Sequence, residues 1–214
     1  MATVKPKPLM IYMLWVAVTT IGWLFGIFNL DSDVKTYMDV IRLLPLYLAD
    51  GLLIGLAVGV GQALVLRTFT DSTSGWVRAT VLGYGLAFLG GIVVSVLIPT
   101  IVWLSQGDYL LPVREPSSTT MILNRHDIFW GGFLIGSIQW PLLSKIIPNP
   151  NRSKAVLWML TNWFVLGISI FVSAFTHMTM LEKFQMGLVG TVMGIVTGWV
   201  PLAFLWKPDP AKQF

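Results

Sequence analysis

Six stretches of mostly apolar residues, near 9–30, 46–66, 76–104, 128–147, 156–177 and 184–206, are separated by short segments that carry most of the charge. A helix needs roughly 20 apolar residues to cross a bilayer core, and each stretch reaches that length. The pattern predicts an all-α, polytopic membrane protein in which six transmembrane helices form one domain over residues 1–214. The connection 105–127 has room for a loop with a short surface helix, and DSDVKTYMDVIRLL, residues 31–44, reads as a second interfacial piece. The run after MATVKPKPLM is full length and lacks a small-residue cleavage site, so it reads as a spanning helix and not as a signal peptide.

Inside these stretches the polar and glycine positions repeat. DGLLIGLAVGVGQALVL (50–66) and DIFWGGFLIGSIQWPLL (127–143) place Asp50, Gly55, Gly59 and Gln62 against Asp127, Gly132, Gly136 and Gln139 at a constant offset of 77. In the sixth stretch Glu182 and Gly187 align with the acid and the first glycine, which puts Gly194 at the glutamine position. The odd stretches repeat as well. Trp15, Thr19, Gly22, Trp23 and Gly26 match Trp76, Thr80, Gly83, Tyr84 and Ala87, and more loosely Trp158, Asn162, Val165, Leu166 and Ser169. Three tandem helical hairpins follow: helix 1 with 2, 3 with 4, and 5 with 6.

The spacing also says what the repeats do. Positions 55, 59 and 62 share one helical face, as do 15, 19, 22 and 26. Lipid tails give helices little hydrophobic reason to associate, so pairing relies on close approach through small residues and on interhelical hydrogen bonds. Glycine stripes facing Thr, Gly and Ala stripes supply both.

Depth defines a candidate site. Gln62 lies five residues before Arg67, about 7 to 8 Å along a helix rising 1.5 Å per residue. Thr19, Thr80, Gln139 and Asn162 fall at a similar level, so a polar layer is expected in one third of the bundle. It reads either as a ring of interhelical hydrogen bonds, worth about 0.6 kcal/mol each, or as a pocket for a polar head group or small solute. Asp50, Asp127 and Glu182 are expected at helix N-termini. There, capping and the helix dipole stabilise an acid by about 0.3 to 1 kcal/mol; the alternative for intramembrane carboxylates is a cation site or proton relay.

Composition strengthens the membrane reading. Hydrophobic residues make up 55% of the chain and charged ones 11%, with a mean hydropathy of +0.75; soluble domains carry about 25% charged residues. Charge also orients the chain. With the termini on one side, that side holds nine basic residues (5, 7, 67, 78, 145, 152, 154, 207 and 212) against the acids 71 and 209, and the other side holds five against eight. The positive-inside rule therefore places both termini in the cytoplasm. The basic pI of 9.5 then reflects orientation and carries no argument for nucleic acid.

Trp15, Trp76, Trp140, Trp158 and Trp206 read as an aromatic belt at the cytoplasmic boundary, with Trp103 and Trp130 at the outer one. Trp23 and Trp163 lie deeper and read as packing residues, with contact to a ring-bearing ligand as the alternative. His126 and His177, the two histidines, are candidate ligands for haem iron or a chlorophyll magnesium, or water- and head-group-facing residues. Zero cysteines exclude disulfides and thiolate metal ligands. The chain holds no GxSxG, no HExxH and no P-loop, so a non-enzymatic role is expected and no metal site is assigned.

The motifs GLAVGVGQALVLR…GWVRATVLGYG and GSIQWPLLSK…LWMLTNW resemble those of a broad group of glycine-rich, Gln-Trp-repeat membrane proteins of photosynthetic and related bacteria. The resemblance covers most of the chain and implies a bacterial plasma or thylakoid membrane. Lipid is expected as a bound group, with chlorophyll or carotenoid as further candidates. Two functional classes are open: a non-catalytic accessory or scaffold subunit that docks on a larger membrane complex, or a small transporter or substrate-binding module using the polar layer. Pro141 and Pro201 within even helices fit the second class.

Overall fold

The computed structural model describes residues 8–24, 37–70, 73–105, 118–147, 149–176 and 182–205. These form six helices and no strand: α1 (Pro8–Leu24), α2 (Tyr37–Leu66), α3 (Ser74–Ser105), α4 (Ser118–Ile146), α5 (Arg152–Thr176) and α6 (Glu182–Leu205). Each helix packs against its two neighbours in sequence, and α6 packs against α1, so the six close into a ring. Segments Leu48–Leu66 and Met186–Phe204 are each long and apolar enough to cross a membrane.

Two helices are longer than their apolar stretches. The residues of 31–44 that are described, from Tyr37 on, belong to α2 and are not a separate interfacial piece; the helix runs on through Pro45. Likewise α4 begins at Ser118, inside the connection expected to hold a loop with a short surface helix, and continues through Pro141. Neighbouring helices can satisfy the carbonyl that a proline leaves free in such a bundle. As a result Asp50 and Asp127 stand inside helices, more than two turns from the N-termini where capping was expected. Glu182 does open its helix.

The ring is zipped by glycine in three places related by the repeat. A β-carbon added to Gly55 would stand 2.9 Å from Val81 Cα, one on Gly132 would stand 2.7 Å from Trp163 Cα, and one on Gly190 would stand 2.8 Å from Thr20 Cα. One turn along, Gly59, Gly136 and Gly194 face Val77, Met159 and Val16 in the same way, at 3.2, 2.9 and 2.8 Å from their Cα atoms. These repeated glycine contacts join α2 with α3, α4 with α5, and α6 with α1, while the helices of each hairpin expected from sequence also pack together. These contacts also correct the register of the third repeat. Gly190 and Gly194 are the equivalents of Gly55 and Gly59, so Thr197, and not Gly194, occupies the glutamine position.

Three seams join the pairs. At α1/α2, Gly22 meets Val58; at α3/α4, Gly83 meets Ile135. At the corresponding positions α5 and α6 carry Val165 and Met193, both buried in the same core cluster. The interior is divided along every helix by one polar position. On one side lies a cluster containing Trp23, Val58, Tyr84, Ile135, Val165 and Met193, on the other a cluster built on Trp15, Leu66, Trp76, Leu143, Trp158 and Val200. Outward, each helix exposes large apolar side chains, among them Leu9, Leu56, Leu82, Phe133, Phe164 and Trp199. Water does not favour so much exposed apolar surface; lipid does.

Candidate functional site

Thr19, Gln62, Thr80, Gln139, Asn162 and Thr197 form the layer between the two apolar clusters, one from each helix, and all are at most 5% exposed. Their helices bring them to one level because the glycine contacts lock the register of each pair. Burial obliges each polar group to find a partner inside the bundle.

Gln62 ties three helices together. Its Nε2 donates to Thr19 Oγ1 of α1 at 3.3 Å, and its Oε1 accepts from Trp76 Nε1 of α3 at 3.2 Å. Gln139 donates through Nε2 to Thr80 Oγ1 at 2.9 Å. In the third unit Trp15 Nε1 donates to Thr197 Oγ1 at 3.1 Å. The hydroxyls of Thr80 and Thr197 donate back to the carbonyls of Trp76 and Met193, and Asn162 Nδ2 does the same to Trp158 O at 2.9 Å.

The sequence-predicted layer is thus brought together. Thr19 joins Gln62, and Thr80 joins Gln139, while Asn162 bonds within its own helix. Three tryptophans belong to it that sequence placed in a boundary belt. Trp15, Trp76 and Trp158 are at most 2% exposed and meet in a chain, ring centroids 6.3 Å apart from Trp15 to Trp76 and again from Trp76 to Trp158. Their depth along the chain did place them near the ends of helices, but they lie on the face of the Thr19 and Gly22 stripe and of its repeats, which turns inward. Trp23 packs edge-on against Tyr84 at 5.9 Å, in line with the packing reading.

Sequence reasoning missed Thr197. The signal was present in Gly190, Gly194 and Gly198, spaced four apart like Gly55 and Gly59. Anchoring the alignment on Glu182 slid it by three residues. Around the layer, Thr20 and Thr191 hydroxyls lie 3.1 Å apart and Tyr12 donates to Ile195 O at 3.0 Å, adding polar ties between α1 and α6.

Asp50 stands apart from the layer, toward the other end of α2. It is 2% exposed, and its Oδ1 has no hydrogen-bond partner among the described residues. The side chains of Asp127, Glu182 and His126, and all of His177, lie outside the described residues, as do Trp206 and the side chains of Trp103 and Trp130. No group of three or more His, Cys, Asp or Glu positioned for a metal occurs among the described residues. Described cations Arg67, Arg78, Lys145 and Arg152 are exposed at the tryptophan end, and Lys154 lies 5.5 Å over the Phe204 ring there.

The chemistry available in the layer is that of amides, hydroxyls and indoles, groups that orient and hold neutral partners. No protein-family model matches the chain, and no curated protein or solved structure does.

Proposed function

We propose that the chain is a six-span integral membrane protein with both termini in the cytoplasm, and that it serves as a non-catalytic accessory or scaffold subunit of a larger membrane complex. One observation carries this reading: Thr19, Gln62, Thr80, Gln139 and Thr197 of the layer are engaged in bonds that hold helices to one another, while large apolar side chains face outward on every helix. A transport path needs polar groups that are available to a passing solute. Here they are engaged in the bundle's own bonds.

The six-span topology rests on the outward apolar surface together with the sequence lengths of the six stretches. Basic residues collected at the tryptophan end favour that end as cytoplasmic. The resemblance in the Gln-Trp motifs points to a bacterial plasma or thylakoid membrane; a photosynthetic pigment–protein complex is the candidate partner.

Asp50 favours a second reading, a small transporter or binding module, because a buried carboxyl with an unpartnered oxygen inside a membrane helix is a functional candidate. Purification of the tagged protein from native membranes in mild detergent, with native mass spectrometry and an absorbance spectrum, separates the two. The scaffold reading expects stoichiometric subunits or pigments to copurify. A lone six-helix protein that carries a bound small solute would overturn it.

A further inference from the structure

The three central tryptophans present their indole N–H groups at one level of the bundle, and two of the three are answered. Trp76 donates to Gln62 and Trp15 to Thr197, whereas Trp158, 1% exposed, has no partner for Nε1. Its repeat explains the difference. Gln139 is to Trp158 what Gln62 is to Trp76, but its amide is drawn to Thr80 on α3 at 2.9 Å, closer than the 3.3 Å between Gln62 and Thr19.

Asn162 sits one turn from Trp158 on the same helix. Where the other odd helices have threonine it offers an amide, whose Nδ2 is spent on Trp158 O. The side chain packs against α4, 3.4 Å from where a β-carbon of Gly136 would lie. Asn162 and Gln139 both bond through their amide nitrogens, which leaves the oxygens as the acceptors of the pair. A buried N–H left alone costs about 1 to 3 kcal/mol, and a buried water typically holds two to four polar partners. One donor and two acceptors on α4 and α5 meet that requirement.

We infer that the α4/α5 contact in the polar layer is a binding site for one hydroxyl oxygen, which accepts from Trp158 Nε1 and donates to the amide oxygens of Asn162 and Gln139, to both where the group is water and to one of them where it is a ligand hydroxyl with its single O–H. The layer holds no charged side chain, so the group is neutral. Its source is either a water molecule or the hydroxyl of a lipid-soluble compound. The departure of α5 from the other odd helices, Asn162 in place of threonine, is on this account what builds the site.

The test is an NMR spectrum of the full chain labelled with ¹⁵N in its tryptophan indoles, in detergent micelles, with Trp158→Phe to assign the signal. The expected result is a Trp158 indole proton at a hydrogen-bonded position with a cross-peak to water. Asn162→Thr, which places at 162 the residue found at 19 and 80, removes the cross-peak and moves the signal upfield while Trp15 and Trp76 stay put. Asn162→Ser reads the same if threonine does not fit. A bonded signal with no water cross-peak, together with one bound molecule in the native mass spectrum that Asn162→Thr loses, assigns the hydroxyl to a lipid-soluble ligand. A Trp158 proton at an unbonded position overturns the site. So does a signal that follows Gln139→Leu but ignores Asn162→Thr, because the indole then bonds directly to Gln139.

Discussion

The α2/α3 and α4/α5 units differ from α6/α1 in one layer and agree in another. All three keep two glycines at equivalent positions, each pressed against the neighbouring backbone. Only the first two keep a glutamine; the third has Thr197, whose shorter side chain receives Trp15 but forms no bridge to α5. Close approach is therefore the shared requirement of the fold, and the hydrogen-bonded layer is where the units diverge. Membrane helices held by contact tolerate such divergence, since each interhelical bond adds only about 0.6 kcal/mol.

The largest effect should come from the shared feature. Gly55→Val, Gly132→Val and Gly190→Val each drive a branched side chain into backbone that has nowhere to move. Overpacking of this kind typically costs about 1 to 3 kcal/mol and at times more, and the backbone contacts here put it at the upper end. All three variants should lose the monodisperse peak in mild-detergent gel filtration, and to a similar degree. A variant in α6/α1 that tolerates valine would show that the third unit is not zipped like the others.

Next comes the glutamine pair. Gln62→Leu removes two bonds and strands the buried Trp76 N–H, a loss of about 1 to 3 kcal/mol. Thr197→Val likewise strands the buried Trp15 N–H, about 1 to 3 kcal/mol, whereas Gln139→Leu removes one bond and leaves no donor stranded, roughly 0.6 kcal/mol. Reversible unfolding in mixed micelles should rank Gln62→Leu and Thr197→Val well below Gln139→Leu. Equal losses would mean that the glutamines do not carry different loads.

Gly90 provides the control for glycine itself. Nothing lies within 4 Å of where its β-carbon would be. Gly90→Ala should raise stability by about 0.5 to 1 kcal/mol through helix propensity alone. Destabilisation would place a neighbour at that point of α3.

Much of this arrangement was legible in the sequence, for physical reasons. Helical spacing identified Gly55, Gly59, Gln62 and their partners at offset 77 as one face, and common depth grouped Thr19, Gln62, Thr80, Gln139 and Asn162. The pattern reported less about where helices start. Hydropathy sees only the apolar part of α2 and α4, so Asp50 and Asp127 looked terminal when the helices run past them. Depth near the helix ends made Trp15, Trp76 and Trp158 look like a belt, although the repeat had put them on the same face as the inward stripe of Thr19 and Gly22. The pairing of α6 with α1 joins the two ends of the chain, and only the ring closure reveals that Gly190, Gly194 and Thr197 complete the repeat.

The finest test converts the divergent unit into the others. Thr197→Gln with Asn162→Thr recreates at the α5/α6 seam the residues that join α1 to α2 and α3 to α4. In those seams the glutamine amide donates to a threonine hydroxyl whose helix lies one step back in the ring. The seam differs otherwise by Val165 against Met193, where the others have Gly22 against Val58 and Gly83 against Ile135, so its helices lack the same close approach. The double variant should therefore gain at most one bond, about 0.6 kcal/mol in the same unfolding assay. Adding Val165→Gly should be required for more. If the double variant alone gains twice that, backbone spacing does not limit the third bridge, and the glycine contacts and polar layer are independent devices.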